Sequence, residues 1–269
     1  MDVKQRGQVR VGTCHWQGGN RIDPSFPGFT PIICLTQSTE YGMLSPYCIT
    51  VPVKFPDSKP EDPAVAVIME GYYQFSKVYE YVPEACETRS RYDRTIIWKW
   101  PEEKHVDITR DSKGTITSLQ VRPEYLKWRK AGMLVQEPNR YPVGKSAMRN
   151  CLFSMKSNPD GSIDPTILDY VNARKQIYIP MYVEAVKKHP EFLKLKQRLN
   201  NGENLIILEV DGPQSRSLEY YKQKYGVSDD FIQNDTMVVT EKNLNIMLND
   251  TKERFGHSFV LSGALLDIY

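Results

Sequence analysis

The feature that most limits the possible folds of this chain is the helical periodicity of its second half, together with one apolar strand. Phe192, Leu195 and Leu199 recur at spacings of three and four, which places them on one face of an amphipathic helix. Residues 204–210 are mostly apolar and predict a buried strand. Further helices are predicted at residues 123–132, from residue 164 onward, and at 182–189, 190–199, 217–225 and 241–248.

The remaining strand signals are short and scattered. A hairpin turn is predicted at Asp111-Ser112-Lys113-Gly114, and the apolar residues 258–268 are expected to pack inward. Strands are predicted at residues 31–36, 48–53, 95–100, 105–108, 115–121 and 236–240. Residues 5–30 are rich in Gly and Pro. The sequence therefore predicts an α+β fold: a mainly α-helical single domain over residues 31–269 with small β elements, preceded by an irregular N-terminal arm over residues 1–30.

Composition narrows the cellular setting that we expect. The 269 residues contain no apolar run near the roughly 18 residues that a membrane span needs, and the first residues lack the apolar stretch of a secretory signal. The five cysteines are scattered, with no Cys-x-x-Cys pair, so neither a disulfide framework nor a zinc site is indicated. We expect an intracellular protein, cytoplasmic or nuclear, without a membrane partner.

Positive charge is concentrated in residues 89–149, which contain 14 Lys or Arg against 7 Asp or Glu. Aromatic residues are interleaved with these cations: Trp98, Trp100, Tyr125, Trp128 and Tyr141. Cations mixed with aromatic rings suit a ligand that carries phosphates and stacking bases. A solvated basic face whose aromatic rings turn into the core explains the same pattern, and both interpretations stay open.

The segment from residue 70 to residue 77 is the strongest candidate for chemistry. A helix predicted over residues 70–79 would place Glu70, Tyr73, Gln74 and Lys77 on one face, at i, i+3, i+4 and i+7. An acid, an amide and an amine beside aromatic rings suit a pocket that binds a flat ring and performs proton or amine chemistry. A solvated helix with a Glu–Lys pair is the competing interpretation.

Three further candidates lie in the last quarter of the chain. Glu209 and Asp211 follow the predicted strand, where carboxylates often line clefts and divide acid and base work, although Asp211 also opens an Asp-Gly-Pro turn. His257 follows Phe255-Gly256 and either faces a pocket or simply begins a helix.

Several strings in this order are similar to the NADAR superfamily. They are Leu44-Ser45-Pro46-Tyr47, the segment 70–77, residues 185–190 with Leu195 and Leu199, Gly202 with residues 205–209, Asn249-Asp250, Phe255-Gly256, and residues 262–266. The resemblance covers about residues 44–268 and implies a NADAR-like fold. The strings together are also similar to proteins of large DNA viruses and phages, a similarity that implies no function.

This resemblance implies hydrolysis of an N-glycosidic bond between ribose and a base, in a ribosylated heterocycle that carries phosphates. Ribosylamino-pyrimidine phosphates and ADP-ribose attached to guanine in DNA are the two substrate classes of the superfamily. The basic, aromatic segment favours the second class. We therefore expect removal of ADP-ribose from nucleic-acid bases, with ADP-ribosylated nucleic acid or a ribosylated nucleotide as the partner.

The residues take specific roles in this hypothesis. Lys77 is the nucleophile, because a desolvated lysine beside aromatic rings has a lowered pKa and a neutral amine. Glu70 transfers protons, and Glu209 orients ribose hydroxyls or water. Tyr72 or Tyr73 stacks the heterocycle, and Gln74 contacts its edge. The remaining predicted substrate contacts are Ser45, Arg94, Trp98, Asp250, Phe255 and His257. The scheme requires no metal or cofactor.

Departures from the family pattern keep two alternatives open. Phe255-Gly256 stands where the family has Trp-Gly, and Tyr269 replaces the usual terminal arginine. A scaffold that binds ADP-ribose or nucleic acid without cutting it fits these departures. A base-modifying enzyme that runs the same glycosidic chemistry as a transfer is the other alternative.

Overall fold

The computed structural model describes residues 5–36, 40–81, 104–135 and 151–269. The chain divides into two compact units: Met1–Ile49 together with Ile179–Tyr269, called unit 1, and Thr50–Tyr178, called unit 2. Both contain helices and strands, so the predicted α+β class is confirmed. The prediction of a single domain over residues 31–269 stays a prediction.

A four-stranded sheet organises unit 1. Its strand order is Thr236–Val238, Val9–Thr13, Leu205–Glu209 and Thr30–Ile33. Leu205–Glu209 pairs in parallel with Val9–Thr13 on one side and with Thr30–Ile33 on the other. Thr236–Val238 pairs antiparallel with Val9–Thr13. Every residue of the two central strands is buried, as expected for strands covered on both faces.

The beginning of the chain differs from the predicted irregular arm. Val9–Thr13 is a central strand, and His15–Gln17 pairs with Asn20–Ile22 in a hairpin. The strand is hard to detect because a charged residue lies inside it: the Arg10 guanidinium stacks 3.7 Å above the centre of the Phe26 ring, and its Nε donates to a hydroxyl in the next strand. These tertiary contacts stabilise the buried charge of Arg10, whereas sequence patterns predict that an arginine is exposed to solvent.

Helices surround this sheet within unit 1. The segment called the buried helix, His257–Leu265, has all nine residues buried, which confirms the predicted inward packing. The other helices of the unit are Ile179–Val186, Pro190–Asn200, Leu218–Tyr225 and Glu241–Asn249. Gly226 ends the third of these in the left-handed conformation that glycine adopts without strain. Among the helices in the described part of the chain, none combines the length and the apolar character needed to cross a membrane.

Unit 2 is built from antiparallel strand pairs and short helices. Its pairs are Thr50–Val53 with Val65–Ile68, Lys77–Tyr79 with Cys151–Ser154, and Val106–Arg110 with Ile116–Val121. In the part of unit 2 that the structure describes, the helices are Met69–Gln74, Pro123–Met133 and Tyr170–Ala173, and the last is followed by a π-helical turn, Arg174–Tyr178. The hairpin turn predicted at residues 111–114 is present, with Gly114 at a φ of 81°. The strand predicted at 95–100 lies outside the described residues.

Two predicted helices of unit 2 have different boundaries. The helix predicted over residues 70–79 ends at Gln74, because Lys77–Tyr79, rich in strand-forming side chains, pairs with Cys151–Ser154 instead. The helix predicted from residue 164 begins at Tyr170. Asp164 forms a local turn by accepting a hydrogen bond from the Thr166 amide, and Asp169 caps the helix in its place.

An aromatic cluster forms the core of unit 2. Trp128 lies at its centre, with ring centroids 4.6 Å from His105 and 4.7 Å from Phe75. Tyr125 and Trp128 are fully buried, so in the described part of the basic segment these aromatic rings turn into the core. Burial lowers the pKa of His105 to about 4, and its ring is therefore neutral at pH 7.

The Phe75 ring packs so closely against Gly132 that this helix position should accept no larger residue without a loss of stability. A Cβ atom at Gly132 would lie 2.0 Å from the buried Phe75 ring. We expect Gly132→Ala to lower the free energy of unfolding by about 1 to 3 kcal/mol, measured by urea denaturation, because the ring must move. Gly71, also in a helix, is the matched control: its added Cβ would have no neighbour closer than 3.9 Å. Gly71→Ala should therefore be neutral or stabilise by about 0.5 to 1 kcal/mol, and equal losses in both variants would contradict the prediction.

Candidate functional site

Three polar side chains of the 70–77 segment form a hydrogen-bonded chain in unit 2, which we call the relay. The Nε2 of Gln74 donates to Oε1 of Glu70 at 2.6 Å. The Nζ of Lys77 donates to Oε1 of Gln74, also at 2.6 Å. The predicted grouping of these residues is therefore present, although Lys77 reaches it from a strand and not from the same helix.

The backbone between helix and strand makes this approach possible. The hydroxyl of Ser76 donates to the carbonyl oxygen of Tyr72 at 2.7 Å, which closes the end of the helix. The amide of Met155 donates to the Ser76 carbonyl at 2.9 Å, and Ser154 pairs with Lys77 across the two strands. The chain is thereby turned so that the Lys77 side chain points back along the helix toward Gln74.

Burial sets the electrostatics of the relay. Glu70 is 8% exposed and Lys77 is 9% exposed. Burial lowers the pKa of Lys77, and the nearby Cys151 and Glu70 offset this only in part. A lysine in such a place holds a larger fraction of neutral, nucleophilic amine at a given pH than a lysine in water.

Aromatic rings cover one side of the amine. The Nζ of Lys77 lies 5.1 Å from the centre of the Tyr73 ring, and Tyr73 packs on Tyr178 with centroids 4.9 Å apart. Tyr178 belongs to the π-helical turn, a type of element common at functional sites. Tyr72 has other neighbours: its hydroxyl accepts from the Ser157 amide at 3.1 Å. Of the predicted ring pair, Tyr73 accompanies the lysine.

Glu209 is the centre of a second buried network, in unit 1. Its Oε2 lies 2.7 Å from Nδ1 of His257, and its Oε1 accepts from both the amide and the hydroxyl of Ser258, at 3.1 and 2.7 Å. The carboxylate thus occupies the first turn of the buried helix, where the helix dipole favours negative charge. Burial alone would raise the pKa of Glu209, but these partners outweigh it and hold the pKa below its usual value.

The partners of His257 define its charge. Its Nε2 lies 3.1 Å from the carbonyl oxygen of Cys34, while its Nδ1 faces the Glu209 carboxylate. Both neighbours are acceptors, so both ring nitrogens carry hydrogen and the ring is an imidazolium. Gly256 makes the approach possible, because a Cβ there would lie 1.9 Å from Oε1 of Glu209. His257 therefore begins the helix and holds Glu209 in an ion pair.

The other predicted residues of unit 1 are held by protein groups. Oδ2 of Asp250 accepts from the hydroxyls of Tyr220 and Tyr225 and from Nζ of Lys224, and Oδ1 accepts from the amides of Lys252 and Glu253. Burial raises the pKa of Asp250, but these donors together hold it far below its ordinary value.

Phe255 and Ser45 also pack locally in unit 1. The Phe255 ring stacks on Phe259 with centroids 5.0 Å apart. Ser45 is buried behind a short 3₁₀ turn, and its Oγ accepts from the Tyr47 amide at 3.4 Å.

The structure thus assigns the predicted site residues to different places. Unit 2 contains Glu70, Tyr72, Tyr73, Gln74 and Lys77, and unit 1 contains Ser45, Glu209, Asp250, Phe255 and His257. Arg94 and Trp98 lie outside the described residues. Within the described ranges, no three His, Cys, Asp or Glu side chains come together as a metal site would require.

Several contributors were not anticipated from the sequence. The amide and hydroxyl of Ser258 donate to Glu209 from the first turn of the buried helix, and no local sequence pattern indicates this contact. The sequence positions of Arg129, Cys151 and Tyr178 are 52 to 101 residues after Lys77, and no local pattern indicates their contacts.

Comparisons with other proteins give no match. The chain matches no model of a known protein family, no curated protein and no solved structure.

The Glu209 network leads to a prediction about acid stability. Glu209→Gln leaves a buried imidazolium without its counter-ion, so we expect a loss of about 3 to 5 kcal/mol in the free energy of unfolding at pH 7. The contribution of the Glu209 carboxylate is present above pH 4.5, its ordinary pKa, and is lost as pH falls through the lower pKa of the folded state. Chemical denaturation at several pH values should show the difference between wild type and variant shrinking in acid.

A surface pair provides the control for this measurement. Glu184 pairs with Lys188 at 3.0 Å, and both side chains are more than 70% exposed. Glu184→Gln should change stability by less than about 1 kcal/mol. A loss for Glu209→Gln no larger than this would show that the buried pair does not stabilise the fold.

Proposed function

We propose that this protein is an N-glycosidase that hydrolyses the bond between ribose and a base in a ribosylated, phosphate-bearing heterocycle, and that its substrate is ADP-ribose attached to a nucleic-acid base. The relay supports this best: a buried amine with a lowered pKa is joined through one amide to a buried carboxylate. The proposal includes the NADAR relationship and, with it, a mainly helical NADAR-like fold.

In the first step, the neutral Nζ of Lys77 forms a bond to C1′ of the ribose while the bond from C1′ to the base breaks. The electron pair of the broken bond goes to the base. The attacking nitrogen gives up a proton, which passes to Glu70 through a water molecule because Gln74 stands between the two groups. Glu70 delivers this proton to the departing base. The amine proton thus ends on the base, and no external acid is consumed.

In the second step, the lysine–ribose adduct opens. The ring oxygen takes the remaining proton of the attached nitrogen, and a C1′=N imine forms. Water adds to the imine carbon, and collapse of the resulting carbinolamine releases the sugar and restores the Lys77 amine. Hydrolysis of the original bond is then complete.

Gln74 and Tyr73 prepare the two reacting groups in this scheme. The Gln74 amide presents its oxygen to Lys77 and its NH₂ group to Glu70, so it holds acid and amine without adding charge. A neutral spacer matters because a carboxylate in direct contact would raise the pKa of Lys77 and protonate it. Tyr73 shields the amine from water on one side.

The choice of substrate rests on charge. Residues 89–149 carry twice as many cations as anions, which supports a ligand with several phosphates over a small pyrimidine phosphate. Parallel assays with ADP-ribosylated DNA and with a ribosylated pyrimidine phosphate separate the two substrate classes.

The nucleophile is tested by trapping. Wild-type protein incubated with ADP-ribosylated DNA and borohydride should gain the mass of the reduced sugar adduct, because borohydride converts the imine into a stable amine. Lys77→Met, which keeps the length and loses the amine, should form no adduct and lose base release by at least about a hundredfold. Intact-protein mass spectrometry and product analysis measure both.

Lys222→Met is the control for trapping, since Lys222 lies on the surface and pairs with Glu219 and Asp229. It should leave adduct formation unchanged. Full base release by Lys77→Met would refute the nucleophile. Binding without turnover by the wild type would favour the non-catalytic module, and turnover that requires an acceptor base would favour the glycosyl-transfer alternative.

The amide spacer makes a prediction about pH dependence. Activity should rise with pH as Lys77 loses its proton, so the acidic limb of the kcat/KM profile reports the pKa of Lys77 in the free enzyme. Gln74→Glu places a carboxylate against Nζ, which raises the pKa of Lys77 and should move this limb to higher pH.

The chain offers a matched control for this substitution. Gln223 donates to Glu219 one helical turn away, at 3.1 Å, on an exposed surface. Gln223→Glu reproduces the same pair of carboxylates without the buried amine and should leave the pH profile unchanged. If the pH profile of Gln74→Glu is not shifted, the acidic limb does not report the pKa of Lys77.

A further inference from the structure

The turn that directs Lys77 toward the relay is held from a neighbouring helix of unit 2. The hydroxyl of Tyr125 donates to the carbonyl oxygen of Ser76 at 3.1 Å. Nη1 of Arg129, one helical turn farther along, donates to that hydroxyl at 2.9 Å and lies 3.4 Å from the carbonyl oxygen of Phe75. Both peptide groups immediately before Lys77 are therefore fixed by the helix Pro123–Met133.

Arg129 also holds the segment that follows the strand paired with Lys77. Its Nη1 donates to the Met155 carbonyl at 2.8 Å, and its Nη2 donates to the hydroxyl of Ser157 at 3.0 Å. The amide of the same Met155 donates to the Ser76 carbonyl. One guanidinium thus joins the turn before the lysine to the segment after its partner strand.

The cost of this arrangement indicates that it has a specific use. Arg129 is 2% exposed, and its partners in the described part of the chain are carbonyl and hydroxyl oxygens, not carboxylates. A charge buried without a counter-ion is expensive unless its donors are well placed. Two of its acceptors, the carbonyl oxygens of Phe75 and Met155, lie at the end of the strand pair where Lys77 faces Ser154.

We propose that Tyr125 and Arg129 are positioning residues that fix the Lys77 amine against Gln74, a role that rests on the proposed function. Their hydrogen bonds within the described residues go to carbonyl and hydroxyl oxygens and not to the amine. They hold the peptide groups of residues 75 and 76, and through these the direction in which the Lys77 side chain leaves the strand. Small displacements of a reacting group lower the rate strongly, because the attack on C1′ requires a fixed approach.

The surroundings of Lys77 predict what loosening the turn does. Glu70, Gln74 and Tyr73 face the amine from the helix, and Cys151 faces it from the paired strand. If the turn relaxes, Nζ leaves the 2.6 Å contact with Gln74 and gains access to water. The ammonium form is then better solvated, which raises the pKa of Lys77. The acidic limb of the kcat/KM profile therefore moves to higher pH.

The test is Tyr125→Phe, which removes one oxygen and keeps the buried ring. With ADP-ribosylated DNA, kcat should fall about 10- to 100-fold while KM changes less than about twofold. The acidic limb of the pH profile should also move to higher pH. Arg129→Lys keeps the positive charge but loses the two-pronged guanidinium group, and it should show the same changes in kcat and pH profile. It is the test variant if Tyr125→Phe does not fold.

Tyr221→Phe is the matched control. Tyr221 is a fully buried tyrosine of unit 1 whose hydroxyl has no hydrogen-bond partner among the described residues. Its variant loses the same atom from a buried ring and should keep kcat and the pH profile of the wild type. Equal changes in both tyrosine variants would mean a general packing effect and would overturn the positioning role.

A second readout separates this inference from the proposed function. NMR of ¹⁵N-labelled lysine side chains follows the titration of Lys77, assigned by the signal that Lys77→Arg removes, without any substrate. A titration of Lys77 at higher pH in Tyr125→Phe supports positioning even if the wild type shows no turnover. A folded Tyr125→Phe variant with unchanged titration and unchanged kcat would overturn it.

Discussion

A hydrogen bond of 2.6 Å between a buried lysine and a glutamine amide is the interaction on which the proposed activity of this protein depends. Lys77 is buried and so loses most of its hydration. Its hydrogen-bond partner is the neutral amide of Gln74, whereas the usual partner of a buried lysine is a carboxylate. Burial without a directly paired acid favours the neutral amine, the form that attacks carbon. The turn at residues 75 and 76, and the helix that holds it, maintain this geometry.

The buried ionisable groups of this protein differ in the partners that surround them. Glu209 is neutralised by an imidazolium and a helix N-terminus, and Asp250 by five donors. Both carboxylates are held below their ordinary pKa, which stabilises a charged and unreactive form. The pKa of Lys77 is also lowered, but for an amine this favours the neutral form, which the proposed hydrolysis needs.

Sequence patterns succeeded where burial follows local periodicity. The helix Pro190–Asn200 and the strand Leu205–Glu209 were predicted within a residue or so, because one stripe or one run of apolar side chains defines each. They failed where a tertiary contact reverses the local preference. Arg10 lies inside the central strand Val9–Thr13 only because Phe26 and the neighbouring strand receive its guanidinium.

The sequence by itself determined that Glu70, Gln74 and Lys77 are close enough to interact, since any compact path over eight residues keeps them near one another. Only the tertiary structure decided how they meet. Pairing with Cys151–Ser154 ends the helix at Gln74 and brings Lys77 back to it from a strand. Such pairing joins residues more than seventy positions apart, and its free energy comes from contacts that no local pattern contains.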